Sequence, residues 1–175
     1  NESELSKNIK RITSLIGNLR SGILVENENR EIVFTNETFC KIFGIPVAPL
    51  QLIGADCSSS AEETKGLFKD PVGFISRVNE LLESKQQATG DVLEMADGRV
   101  LERDFVPVFV DETYRGHLWN YTDITEKQRI ITAVADSEAK SRLIMNSALD
   151  AIITINHQGN VTLWNPQSEK IFGWT

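Results

Sequence analysis

The groups able to do chemistry in this 175-residue chain are few and scattered. The histidines are His117 and His157, the cysteines are Cys40 and Cys57, and no spacing among them suits a zinc site. His117 alternates with Trp119 and Tyr121, so on a strand the three share one face. There an imidazole can meet a polar ligand or titrate near neutral pH, although a structural histidine held by hydrogen bonds is the simpler reading. Glu102 and Asp104 flank Arg103 and read as a solvated or ion-paired strand, with no nucleophile beside them. Neither histidine has the setting of a phosphoacceptor on a helix, and no Gly-rich loop precedes a helix start to cradle a nucleotide. The segment is expected to be neither an enzyme nor a metal protein. What remains is recognition and transmission. Asp123-Ile124-Thr125-Glu126 has the form of a capping box, in which Asp123 accepts from the amide of Glu126 and Glu126 reaches back to that of Asp123.

The elements that must position these groups follow from periodicity. Leu5, Ile9, Ile12, Ile16 and Leu19 form an a/d stripe on an amphipathic helix over residues 1–20. Two to three heptads are marginal alone, so the stripe needs a partner: its own domain or a second copy of the chain. Two strands, GILVEN and REIVFTN, follow around a polar turn. A short helix is opened by Asn36 and closed by Gly44, and residues 46–70 are irregular. Asp70 and Pro71 start a longer helix whose apolar face is Phe74, Ile75, Val78, Leu81 and Leu82. Three strands are expected next: DVLEMA, VLERDFVPVFV and YRGHLWNYT. On the middle one Leu101, Phe105 and Phe109 point one way and Val100, Val106 and Val108 the other, as in a sheet covered on both sides. A helix over about residues 124–146 closes the series.

The chain also repeats itself. Residues 19–45 lie without a gap over residues 148–174 at a constant offset of 129. Ile23/Ile152, Asn27/Asn156, Asn36/Asn165, Lys41/Lys170, Ile42/Ile171, Phe43/Phe172 and Gly44/Gly173 are identical. Such an offset means two copies of a domain of about 100 residues rather than a solenoid. The second copy, residues 143–175, carries only the opening of the domain, so the chain reads as a piece of a tandem array. Two short strands and a helix cannot build a core alone, and this tail is expected to lean on the long helix, the first domain or another copy.

These residues resemble a PAS domain. GILVEN…EIVFTN, ETFCKIFG, the strand containing Pro107 and above all GHLWNYTDITEKQ carry the likeness, with Asp123-Ile124-Thr125 matching the family's Asp-x-Thr signature. The resemblance covers residues 13–124, with residues 124–146 as a signalling linker helix. It implies an α+β fold: a five-stranded antiparallel sheet with short helices and one long helix on one face, flanked by amphipathic helices. It implies a ligand pocket walled by Val25, Phe34, Phe39, Phe68, Phe74, Val78, Phe105, His117, Trp119 and Tyr121. Asp123, Ile124, Thr125 and Glu126 would transmit the signal. Leu5, Ile9, Ile12, Ile16 and Leu19 would form a homodimer seam.

The family's cofactor-bearing branches are poorly matched. Gly54-Ala55-Asp56-Cys57-Ser58 keeps the glycine and cysteine of a flavin photoreceptor but lacks the residues that hold the flavin. The long helix carries no histidine for haem. No cofactor is expected, and a colourless small-molecule ligand stays open. The function implied is a sensory module of a multidomain signal transducer, a two-component sensor histidine kinase, with its output domain on the same chain. The rival is a ligand-free dimerisation scaffold in a diguanylate cyclase or transcription regulator. A net charge of −7 and a pI near 4.9 argue against nucleic acid and anionic membrane surfaces. No apolar run spans a bilayer and no signal peptide is visible, so the segment is expected to be cytoplasmic.

Overall fold

A computed structural model describes residues 2–17 and 19–173 of the chain. Within the first helix the side chains of residues 2, 3, 5, 6, 8, 9, 12 and 13 lie outside that description, as does Trp174. The seam residues Leu5, Ile9 and Ile12 therefore cannot be placed. Ile16 is half-buried and Leu19 exposed. The chain divides into two compact units, residues 1–126 and 127–175.

In the first unit, α1 (Glu2–Gly17) leads into β1 (Gly22–Asn27) and β2 (Ile32–Thr35). Then come α2 (Glu37–Phe43), α3 (Pro49–Leu52), α4 (Ser60–Thr64), a 3-10 turn (Lys65–Leu67) and α5 (Pro71–Ser84). β3 (Ala88–Glu94), β4 (Val100–Val110) and β5 (Thr113–Asp123) complete an antiparallel sheet of order β2-β1-β5-β4-β3. β3 thus starts three residues before the expected strand, because the bulge between Ala88 and Asp91 lets Gly90, with φ +75°, extend the pairing. Caps set the helix bounds. Asn36 accepts from the Phe39 amide and Gly44, at φ +65°, ends α2, while Asp70 accepts from the Gly73 amide at the head of α5.

The core forms on one face of the sheet. Leu24, Leu101, Phe105, Trp119 and Tyr121 meet Phe39 and Ile42 of α2 and Phe74, Val78 and Leu81 of α5. Leu101 and Phe105 are fully buried, and each such side chain is worth about 1.5–3 kcal/mol of transfer free energy. Phe109 departs from the expected inward row. A bulge after Val108 shifts the register, and Phe109 lies half exposed against Tyr114 at the strand end.

In the second unit, α6 (Thr125–Ser147), which begins at the end of the first, runs on to β6 (Ile153–Ile155), β7 (Val161–Trp164) and α7 (Pro166–Phe172). The repeat reappears as geometry. Asn36 Oδ1 accepts from the amides of Ile23 and Phe39, and its Nδ2 donates to the carbonyls of Ser21 and Ile16. Asn165 Oδ1 accepts from the amides of Ile152 and Ser168, and its Nδ2 donates to Asp150 and Met145. All four partners correspond at the repeat offset. One asparagine in each copy ties the end of the incoming helix, the first strand and the next helix together. In the tail this bond to Met145 is what leans β6, β7 and α7 on α6, and Trp164 and Phe172 pack ring to ring at 5.6 Å.

Candidate functional site: a cavity between sheet and helices, and the junction to α6

The sheet's inner face and α2–α5 enclose an apolar cavity of about 320 Å³. Phe39, Phe74, Val78, Trp119 and Tyr121, five of the expected wall residues, line it. Leu24, Ile32, Phe43, Ile45, Leu52, Ala55 and Ala61 complete its apolar wall. The Phe43 ring stands edge-on to Tyr121 at 4.9 Å. The remaining expected residues lie elsewhere. Phe68 stacks on Phe74 at 3.9 Å and lines a second, open cavity. Phe105 is fully buried behind the wall, 4.7 Å from the Trp119 ring. Val25 and Phe34 are corrected outright. They pair across β1 and β2 and sit on the opposite face of the sheet, because Leu24 and Glu26 are the inward positions.

His117 is completely buried and held at both ring nitrogens. Its Nε2 meets Glu26 Oε2 at 3.1 Å and its Nδ1 meets the Tyr114 hydroxyl at 2.5 Å. Arg30 donates to the same Glu26 oxygen and, through Nη2, to the Cys57 carbonyl at 2.8 Å. Glu26 and Arg30 are thereby fixed among the polar groups that line the cavity, with Asp56, Ser60, Glu63 and Thr64. Close strand approach makes this possible. Gly116, at φ +127°, passes so near that a Cβ there would lie 2.0 Å from the Glu26 carbonyl. Burial raises the Tyr114, Tyr121 and Cys57 pKa values, which keeps these groups neutral; Cys57, on the cavity wall, is an inert thiol near neutral pH. Sequence reasoning missed Glu26 and Arg30. Glu26 shares the inward face with Leu24, two residues before it, but which face is inward is set by the pairing with β5.

Of the two readings of the strand around Arg103, solvated or ion-paired, the structure shows the ion-paired one there: Arg103 points inward between Leu101 and Phe105 and is 1 % exposed. Its Nη2 donates to Asp91 at 3.0 Å, and Arg77 donates to the same carboxylate through Nε at 2.9 Å. Burial works to raise the Asp91 pKa, but these two guanidiniums outweigh it and hold the carboxyl below its ordinary range.

The junction to α6 is built differently from a capping box. The helix starts at Thr125, so Asp123 stands one position too early to cap it. Asp123 Oδ1 instead accepts from the Thr125 amide at 2.9 Å and from its hydroxyl at 2.5 Å. Thr125 Oγ1 in turn accepts from the Val100 amide at 2.9 Å, and the Ile124 amide donates to the Val100 carbonyl. The threonine thus pins the first turn of α6 to the start of β4, and buried Ile124 seals the corner. Glu126 is exposed. Beyond it, Ile130, Ile131, Val134, Leu143 and Ile144 of α6 are all exposed. Among the described residues no cluster of His, Cys, Asp and Glu could hold a metal ion, and no helix is long and apolar enough to cross a membrane.

Comparison with known proteins agrees with this architecture. A PAS domain family model matches residues 20–126, and a PAS fold model matches residues 139–175. Over 173 residues, 98% of the chain, the sequence is 21% identical to sporulation kinase E of Bacillus subtilis, of which it spans 22%. Among solved structures, the PAS domain of Bordetella pertussis BvgS is similar with a TM-score of 0.52 and 15% identity, covering 77% of this chain and 98% of that one. An RNA-binding light-oxygen-voltage receptor is similar with a TM-score of 0.51 and 17% identity, covering 74% and 37%. With its sheet order, its cavity and its Asp-x-Thr junction in place, and with the family model spanning most of the first unit, the chain belongs to the PAS domain family.

Proposed function

We propose that this chain is the ligand-sensing, non-catalytic part of a multidomain signal transducer of the sensor histidine kinase type. The observation that carries the reading is the mostly apolar cavity with polar groups, Glu26 and Arg30 among them, whose wall residues Trp119 and Tyr121 lie on β5, the strand that ends at the α6 junction. A small, mostly apolar molecule with one polar group would repack Phe74, Val78 and Trp119, and β5 would pass the shift through Thr125 to α6. Likeness to sporulation kinase E supports a kinase output in the parent protein. The exposed apolar residues of α6 and the stripe on α1 support a homodimer through the flanking helices. A cytoplasmic setting and an output domain on the same chain belong to the same reading. Native mass spectrometry of the purified chain, after a visible spectrum to exclude a coloured group, tests it. A small molecule released on unfolding, and lost in a cavity-filling Ala61→Phe variant, is the expected outcome.

A second reading is a ligand-free dimerisation scaffold, as in diguanylate cyclases or transcription regulators. The clustered rings of Phe39, Phe43, Phe68, Phe74 and Tyr121 favour it, since they already fill much of the interior. An empty cavity that binds nothing on a broad metabolite screen would select this reading.

A further inference from the structure

We propose that Glu26 and Arg30 are the specificity-determining pair of the apolar cavity, and that they select a small uncharged molecule of the amide type, offering both a hydrogen-bond donor and an acceptor. The inference rests on the cavity being a ligand site, as proposed above, and adds what that ligand must carry.

The internal repeat shows that the local fold forms without this pair. The β1–β2 turn and its counterpart between β6 and β7 are built alike. Arg30 N donates to the Asn27 carbonyl at 3.1 Å, and Gly159 N to that of Asn156 at 3.0 Å. Asn27 Oδ1 accepts from the amides of Asn29 and Glu31, and Asn156 Oδ1 from those of Gln158 and Asn160. At the repeat offset, however, Glu26 becomes Ile155 and Arg30 becomes Gly159. Both turns hold that last residue in the left-handed region, Gly159 at φ +84° and Arg30 at φ +67°. Glycine adopts this conformation freely, whereas an arginine there is strained by its own Cβ. A strained residue held in place by its surroundings points to function, and this one lines the cavity.

The pair leaves two groups open. Glu26 is 2% exposed, and its contacts with Arg30 Nε and His117 Nε2 both fall on Oε2. Arg30 spends Nε there and Nη2 on the Cys57 carbonyl. Among the described residues no donor meets Glu26 Oε1 and no acceptor meets Arg30 Nη1. Neither atom is sealed off in the way the free nitrogens of Arg103 are.

Charge then selects the ligand. Glu26 and Arg30 neutralise each other, so a ligand of either sign would bring an unpaired charge into a mostly apolar space. A cation would also lie against the Arg30 guanidinium. Asp56 and Glu63 line the cavity too, but both are exposed and accept from Ser58 and Ser59. Solvent screens them, and the field they leave opposes an anion. A neutral group that donates to Oε1 and accepts from Nη1 satisfies both without adding charge.

The test titrates the full 15N-labelled chain with benzamide, benzoate, benzylamine and fluorobenzene, following the Trp119 indole N–H on the cavity wall. Benzamide should bind at least about tenfold tighter than each of the other three. Arg30→Gly, which places in this turn what the second copy carries, should reduce that preference over fluorobenzene to about twofold or less. If fluorobenzene binds as tightly as benzamide, or a charged probe binds tightest, the pair does not select an amide and the proposal falls, while the cavity remains a ligand site. A preference undiminished in Arg30→Gly would equally overturn it. No saturable shift with any probe at about 10 mM would remove both this proposal and the sensing reading beneath it. Should Arg30→Gly fail to fold, the ranking of the four probes on the unaltered chain still decides.

Discussion

Asn36 shows how much a single side chain can organise. It is 2% exposed and makes four hydrogen bonds to three different elements. Asn36→Ala removes a helix cap and leaves the buried Ile23 amide unpaired, which should cost about 2–4 kcal/mol in urea unfolding. Asn36→Asp, which keeps Oδ1 but not the donors to Ser21 and Ile16, should fall between the two. The cap was legible in the sequence, since asparagine before a short apolar helix has few other uses. The bonds back to Ile16 and Ser21 were not, because they depend on how the chain returns. Arg103 was only partly legible for a related reason. Its charged neighbours Glu102 and Asp104 suggested solvent or an ion pair, whereas its parity with Leu101 and Phe105 placed it inside. Asp91, which answers that charge, supplies a pH prediction. Its folded pKa lies below the unfolded value of about 3.9. Its stabilisation is therefore present above about pH 4 and is lost as pH falls through the folded value. Asp91→Asn should lower the urea midpoint at pH 7 and flatten its decline on acidification relative to the unaltered chain.

At the scale of elements, helices were easier to read than strands. α2, α5 and α7 carry their own punctuation: Asn36 and Gly44, Asp70 and Pro71, Asn165, Pro166 and Gly173. In the strands, Ile23, Leu24 and Val25 are apolar at successive positions, so alternation alone does not say whether Leu24 or Val25 faces the core. That choice is made by pairing with β5 and by the bulge beside Glu26. The contact between Glu26 and His117, 91 residues apart, is equally invisible to local pattern. The junction of β5 with α6 was legible as a motif but not as a mechanism. Thr125, rather than the Asp123–Glu126 pair, joins the helix to β4. Thr125→Val should cost about 1–2 kcal/mol by leaving the Val100 amide unpaired, and should raise amide exchange at residues 124–130. Glu126→Ala should leave both unchanged. On α1, the double substitution Ile9→Asn with Ile12→Asn should weaken self-association measured by light scattering. A monomeric unaltered chain at high concentration would remove the basis for the seam.

For the whole molecule, the repeat carries the strongest organisational message. The Asn165 bonds reproduce those of Asn36 partner for partner, so the end of α6 stands to the second copy as the end of α1 stands to the first. A helix that leaves the first unit through Thr125 and meets the opening of the second copy through Asn165 gives a continuous covalent route between the two. The central claim is that the state of the apolar cavity reaches α6 through Thr125. Hydrogen exchange of residues 124–130 tests it most directly, comparing the unaltered chain with the cavity-filling Ala61→Phe variant and repeating the comparison in a Thr125→Val background. The account predicts a change in protection at residues 124–130 on filling the cavity, and a smaller one once Thr125 is replaced. Changes confined to α3, α4 and the cavity wall, with protection at residues 124–130 the same in every variant, would contradict it.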